Sequence, residues 1–132
     1  MDLEILKIAS NTENHKVLKN YTHFSKLKNS MCGDEMQISL KIVNDSIVDF
    51  GYQCKSCVYC QASVSLLSKT SINSSPKNVK KLLKLAETFS ENKNILFPKH
   101  WLVFKKIFNK NNIARKECLL LPFKTLSKAL KS

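Results

Sequence analysis

Residues 36–52 read MQISLKIVNDSIVDFGY, and this stretch decides the fold. From Met36 to Ile42 apolar side chains recur at every second position, which is the period of a half-buried β-strand. Asn44-Asp45-Ser46 supplies turn residues, and residues 47–52 then return as a second apolar run. The stretch therefore predicts an antiparallel β-hairpin.

The segments outside the hairpin complete a predicted α+β fold. Residues 24–28 are a candidate edge strand, which gives a small antiparallel sheet of about three strands packed against helices. At 132 residues the chain is expected to form a single domain spanning residues 1–132. Helices are predicted over residues 3–9, from near Cys57 onward, from Pro76 to about Ser90, in a short segment after Pro98, and over residues 118–130 with Pro122 in the first turn.

Cysteines flank the hairpin at both of its open ends. Cys32-Gly33-Asp34 stands just before the first strand, and Cys54, Cys57 and Cys60 follow the second strand. Because antiparallel pairing brings these two ends to one edge of the sheet, we expect Cys32, Asp34 and Cys57 to converge.

The composition favours a cytoplasmic protein with free thiols. Residues 1–4 lack the basic region and apolar core of a secretory signal, and no apolar run approaches the roughly 20 residues that span a bilayer. We therefore expect no membrane association. In a reducing cytosol five cysteines, an odd number, indicate thiols or metal ligands rather than a set of disulfides.

The net charge of +12 favours acidic partners, and nucleic acid is one candidate class. However, the positive charge is almost entirely lysine and is spread over the whole length, with Arg115 as the single arginine. Because arginine is the residue suited to bidentate recognition of bases and phosphates, we do not expect nucleic acid to be the partner.

The run Cys54-x-x-Cys57-x-x-Cys60 fits none of the common cysteine motifs. A bacterial ferredoxin would have a fourth cysteine where Val64 stands, a zinc ribbon needs a second Cys-x-x-Cys pair, and a thioredoxin motif needs a surrounding βαβ pattern. Cys60 is interpreted as a buried side chain. A resolving thiol or an alternative ligand stays open for Cys60, and no role is assigned to Cys54.

Three motifs in order resemble the U-type iron–sulfur scaffold family, which includes IscU, the NifU N-terminal domain and SufU. These motifs are Cys32-Gly33-Asp34, Cys57 with Ala62-Ser63 after it, and Arg115-x-x-Cys118. The resemblance runs from about residue 30 to about residue 130. Two features make the chain most similar to SufU-like members. Cys118 follows Cys57 by 61 positions, a longer stretch than is expected of IscU, and Glu117 occupies the position where IscU-type proteins have histidine. Ser56 stands immediately before Cys57, at a position where members of the family commonly have glycine.

The resemblance implies one four-ligand site made of Cys32, Asp34, Cys57 and Cys118. SufU-like proteins hold zinc there, whereas IscU-like proteins assemble a [2Fe–2S] cluster. Cys118 would accept persulfide sulfur from a cysteine desulfurase with Arg115 in support, and a downstream iron–sulfur carrier or apoprotein would receive the product. The resemblance thus implies a scaffold or sulfur carrier rather than a small-molecule enzyme.

Two other functions stay open on the sequence alone. The first is a structural zinc-binding module that meets an acidic partner through its lysines. The second, less favoured, is a basic nucleic-acid-binding module.

Overall fold

The computed structural model describes residues 3–29, 33–91 and 95–131. It has the predicted α+β architecture, with one three-stranded antiparallel sheet and four α-helices among these residues. In chain order the elements are α1 (Leu3–Ala9), β1 (His23–Lys28), β2 (Glu35–Val43), β3 (Ser46–Lys55), α2 (Val58–Ser71), α3 (Pro76–Glu87) and α4 (Lys116–Leu130), with 3₁₀ segments at Thr88–Glu91, Lys99–Lys106 and Lys110–Arg115.

The predicted hairpin is confirmed as β2 and β3. Asn44 and Asp45 both have positive φ, at 51° and 61°, as the two central residues of a type I′ turn require. Met36 lies opposite Cys54, so the two strand ends that carry the cysteine motifs share one edge of the sheet. The candidate edge strand is confirmed as β1, which pairs with β2 alone.

One face of the sheet carries the core. Met36, Ile38 and Leu40 are fully buried, and α2 and α4 pack together beneath β1, β2 and β3. The hydroxyl of Ser25 on β1 donates a hydrogen bond to the backbone carbonyl of Thr125 on α4. This bond joins elements 100 residues apart and fixes α4 against the sheet.

The helix predictions held at the starts of α1, α2 and α3 and failed at some of the ends. Ser75 caps α3 by accepting from the N–H of Asn78 at 3.1 Å, and Pro76 stands at the first helical position, where its missing N–H has no cost. The helix ends at Glu87 instead of near Ser90, and a 3₁₀ turn continues from there. The segment after Pro98 is likewise a 3₁₀ helix.

The placement of Pro122 in a first helical turn was wrong. The 3₁₀ segment Lys110–Arg115 runs directly into α4, so the helix starts two residues before Cys118 and Pro122 becomes its seventh residue. The φ of proline is helical, but Pro122 lacks the N–H that would donate to the carbonyl of residue 118 and its ring crowds that carbonyl, so this position inside α4 has a cost.

Phenylalanines from the second half of the chain form the other part of the core. Phe108 contacts both Phe89 and Phe123 edge-on, at ring-centroid distances of 5.0 and 5.3 Å. Phe97 and Phe104 complete the group. These contacts anchor the irregular 3₁₀ segments to α4. In the part of the chain that the structure describes, every helix is too short or too polar to cross a membrane.

Candidate metal centre

The loop between β1 and β2 fixes the position of Asp34. The N–H of Gly33 donates to the carbonyl of Asn29 at 2.8 Å, and the N–H of Asn29 donates to the carbonyl of Asp34 at 2.7 Å. Gly33 has φ of +76°, and a Cβ placed on it would meet no atom within 4 Å. Glycine is therefore needed here for its backbone conformation rather than for space. Cys32, the fourth predicted ligand, lies outside the described residues.

Cys57 occupies the N-cap position of α2. Its backbone is extended and its thiol makes no capping hydrogen bond, so the helix does not engage the sulfur. The backbone N–H of Cys57 donates to Oδ2 of Asp34 over a long 3.5 Å. Asp34 itself is buried, with 8% of its surface exposed. The carboxylate thus joins the loop to the start of α2 at the shared sheet edge.

Cys118 comes from the opposite end of the chain, in the first turn of α4. It is buried, and the next residue is held in place from α2: the hydroxyl of Ser63 donates to the carbonyl of Leu119 at 2.6 Å. This interhelical bond fixes the first turn of α4 beside α2. The position of Cys118 is therefore set by core packing.

Asp34, Cys57 and Cys118 converge. One carboxylate oxygen and the two sulfurs all lie within 4.8 Å of one another. A tetrahedral zinc site has bonds of about 2.0–2.3 Å, and its ligand atoms are separated by less than twice that length. The carboxylate oxygen and the two sulfurs therefore need to approach one another only by a small amount to share an ion. Two thiolates and a carboxylate are a donor set that zinc accepts, and thiolates are also the ligands of iron–sulfur clusters.

Both cysteines of this centre stand at helix starts. The first N–H groups of an α-helix have no intrahelical acceptor, and the helix dipole places partial positive charge there. Cys57 is the N-cap residue of such a free end on α2, whereas Cys118 is the third residue of α4, whose first turn continues from the 3₁₀ segment Lys110–Arg115.

Cys54 and Cys60 do not join the group. Cys60 has no exposed surface, which confirms its interpretation as a buried side chain, and this burial raises the pKa of its thiol well above the ordinary value. Burial also raises the pKa of Cys54, and the charges of Asp34 and Cys57 add to that effect. Both thiols therefore stay protonated at neutral pH.

Arg115 contacts an aromatic ring instead of standing alone on the surface. Its guanidinium carbon lies 5.3 Å from the ring centroid of Tyr59, which is within cation–π range. Tyr59 is in the first turn of α2, and Arg115 is the N-cap of α4, so this contact bridges the starts of the two helices that carry the cysteines.

Tyr59 could not be singled out from the sequence, because only the packing of α2 on α4 brings it to Arg115. Glu117, next to Cys118, forms an exposed ion pair with Lys124 at 3.3 Å and is not part of the centre.

Comparisons with known proteins identify the family of this chain. The profile of the family described as "NifU-like N terminal domain" matches residues 2–96. The iron–sulfur cluster assembly scaffold protein IscU of Thermotoga maritima is 32% identical over 127 residues, a match that covers 96% of this chain and 89% of that protein.

Two solved structures share the fold. A protein of Fervidobacterium islandicum AW-1, assigned as an iron–sulfur cluster assembly scaffold of the SUF system, has a TM-score of 0.89 at 26% identity, with 98% of this chain and 96% of that chain covered. A NifU-like N-terminal protein of Brucella abortus has a TM-score of 0.88, with 98% of this chain and 91% of that chain covered. Its identity of 19% supports the common fold alone.

Proposed function

The chain belongs to the family of NifU-like N-terminal domains, and on that premise we propose that it is an iron–sulfur cluster assembly protein that accepts sulfur from a cysteine desulfurase. The single observation that carries the proposal is the convergence of Asp34, Cys57 and Cys118 within 4.8 Å. Three separate parts of the chain supply these groups, and each is held by hydrogen bonds or core packing. Cys32 is the proposed fourth ligand.

Cys118 is the proposed sulfur acceptor. Its thiolate attacks the outer sulfur of a persulfide on the desulfurase, so that a new S–S bond forms on Cys118. The S–S bond of the desulfurase breaks, and the desulfurase cysteine leaves as a thiolate. The exchange needs no added oxidant because the sulfur arrives already at the persulfide level. Arg115, held over Tyr59 three residues before Cys118, is positioned to offer a positive charge to the incoming partner.

The donor set fits zinc, and the proposed ligands are Cys32, Asp34, Cys57 and Cys118. When bound, zinc keeps thiolates deprotonated and accepts an exchangeable ligand. We expect Asp34 to be the ligand that exchanges, because its single carboxylate oxygen is a weaker ligand than the thiolates around it. In the other form of the proposal, the same four residues hold a [2Fe–2S] cluster as the assembled product, which then passes to a downstream carrier or apoprotein.

The proposed working unit is the whole chain, residues 1–132, acting in the cytoplasm, where reducing conditions keep the thiols free. The family profile ends at residue 96, yet Cys118 lies beyond it on a helix that packs against α2 and the sheet. This packing supports one unit rather than a scaffold with a separate tail.

Metal analysis tests the shared site. Protein purified without oxygen is examined by native mass spectrometry and absorption spectroscopy, for the wild type and for Cys57→Ala and Cys118→Ala. We expect both substitutions to remove the bound zinc or cluster, whereas Cys60→Ala, a matched cysteine outside the centre, retains it. Full metal content in both Cys57→Ala and Cys118→Ala would contradict the proposal that these residues share one metal site.

Sulfur transfer is tested separately. After incubation with a cysteine desulfurase and free cysteine, we expect Cys118 to gain the mass of one sulfur atom and desulfurase turnover to rise. Both effects should vanish in Cys118→Ala. If the metal depends on these residues but no sulfur is gained, the chain is a structural zinc module with a basic surface and the proposed sulfur transfer is wrong.

A further inference from the structure

Apart from the metal centre, the structure has a groove between β1, α3 and α4. It encloses about 350 Å³. Its apolar floor consists of Leu27, Leu83, Leu120 and Phe123. The half-buried Ser127 forms part of the wall. The volume is at the lower end of the range of about 300–1,000 Å³ that is typical of ligand sites, which is room for a few large apolar side chains.

The rim of this groove is strongly basic. Lys124 and Lys128 lie on α4, Lys131 is its C-cap residue, and all three are exposed. The single acid in the lining is Glu87 on α3. Outside the lining, Lys80 is also exposed and stands one helical turn before Leu83 on α3.

The existing contacts of these lysines are easily exchanged. Lys124 pairs with the partly exposed Glu117, and Nζ of Lys128 donates to the carbonyl of Lys26 at 3.3 Å. Exposed interactions of this kind contribute at most about 1 kcal/mol. An acidic ligand can therefore compete for the same ammonium groups.

We propose that this groove, which contains no residue of the metal centre, is a docking site for an acidic amphipathic segment of a partner protein. Carboxylates of the segment would meet Lys124, Lys128 and Lys131, while its apolar side chains enter the groove between them. Charge complementarity favours an acidic occupant over a second copy of this chain, because two copies with a net charge of +12 repel each other. The apolar floor favours a protein over nucleic acid, since a phosphate backbone has nothing to bury there.

A peptide probe tests the proposal. The probe is a fluorescein-labelled helical peptide of about 15 residues, or roughly four turns, with glutamate on one face and leucine on the other. Its binding is followed by fluorescence anisotropy at physiological salt. We expect saturable binding that weakens about tenfold or more when Lys124, Lys128 and Lys131 are all changed to Glu, because three attractive contacts become repulsive.

Two matched variants separate this groove from general electrostatic attraction. Changing Lys77, Lys81 and Lys110 to Glu alters the net charge by the same amount on exposed residues outside the groove lining, and should leave the affinity within about twofold. Ser127→Phe fills the groove without altering charge and should abolish saturable binding. The metal content of all variants stays that of the wild type, so failure here is distinguishable from failure of the proposed scaffold function.

Three results would overturn the proposal. The first is equal weakening by both triple substitutions, which indicates unspecific attraction. The second is equal affinity for a leucine-free glutamate peptide or for an RNA duplex, since neither uses the floor. The third is self-association in sedimentation experiments that Ser127→Phe abolishes, which assigns the groove to a second copy of the chain.

Discussion

Substitution of Gly33 by alanine tests whether the loop conformation prepares Asp34 for a metal. Gly33 has φ of +76° and open space around it, so an added methyl group clashes with no neighbouring residue. The whole cost is therefore conformational. For an L-residue other than glycine, the left-handed region costs roughly 1–2 kcal/mol, which is a factor of about 5–30 in an equilibrium constant.

How freely the loop relaxes decides whether this cost lowers the zinc affinity or the stability of the metal-free protein. If the loop leaves the left-handed conformation in the metal-free protein, Gly33→Ala keeps its stability and binds zinc about 5–30 times more weakly, because binding must restore the conformation. If the loop is held in place, the thermal stability of the metal-free protein falls by the same free energy. Zinc affinity is measured by competition with a chromogenic chelator, and stability by thermal unfolding.

Gly33→Asn is the matched control. Asparagine enters the left-handed region more readily than alanine. The free energy lost in zinc binding and in stability together should therefore be clearly smaller than for alanine. Unchanged affinity together with unchanged stability in Gly33→Ala would refute the reasoning, since the φ of +76° would then not be a feature that zinc binding or folding depends on.

Three further predictions concern stability and reactivity. Burial, and secondarily the charge of Cys54, raises the pKa of Tyr52 from 10.0 to about 12. The folded state then retains a proton that the unfolded state loses, so stability should fall by up to about 2–3 kcal/mol as pH rises from 10 to 12. Urea unfolding should show this slope reduced in Tyr52→Phe but not in the exposed control Tyr21→Phe, and equal slopes would contradict it. Ser75→Ala removes the N-cap bond of α3 and should cost about 1 kcal/mol in the same assay, whereas a change near zero would mean that the cap is not formed. Iodoacetamide should label Cys60 only after unfolding, because the thiol is buried and its pKa is raised; labelling as fast as that of the partly exposed Cys54 would argue against its burial.

Local sequence signals were sufficient for the hairpin and for half of the centre. A period of two, a turn at Asn44 and Asp45, and the antiparallel geometry together placed Asp34 and Cys57 at one edge of the sheet. The family resemblance based on three short motifs is confirmed, and so is the α+β fold. These predictions succeeded because each depends on residues that are close in sequence or paired by a short turn.

The remaining features depend on tertiary packing, which local signals do not report. The 3₁₀ segment Lys99–Lys106 is held by Phe104 in the phenylalanine cluster rather than by helix propensity, and the segment Lys110–Arg115 follows it and runs into α4. For the same reason the start of α4 was misplaced and Pro122 was assigned to the wrong turn. The contact between Arg115 and Tyr59 joins two helix starts 56 residues apart, and nothing in either local sequence predicts it.

This division between local and tertiary control has a consequence for the centre itself. Asp34 and Cys57 are held near each other by the sheet edge alone, but Cys118 arrives only when α4 docks through Ser25 and Ser63. A metal that bridges all three groups therefore adds its binding free energy to the docking of α4, since that site does not exist in the undocked chain. Conversely, Cys57 and Cys118 stand on α2 and α4, which pack on each other, and the loop that carries Asp34 reaches Cys57 through one long bond of 3.5 Å. In the proposed exchange of Asp34 for a partner's ligand, we therefore expect the two sulfurs to keep the positions that their helices give them.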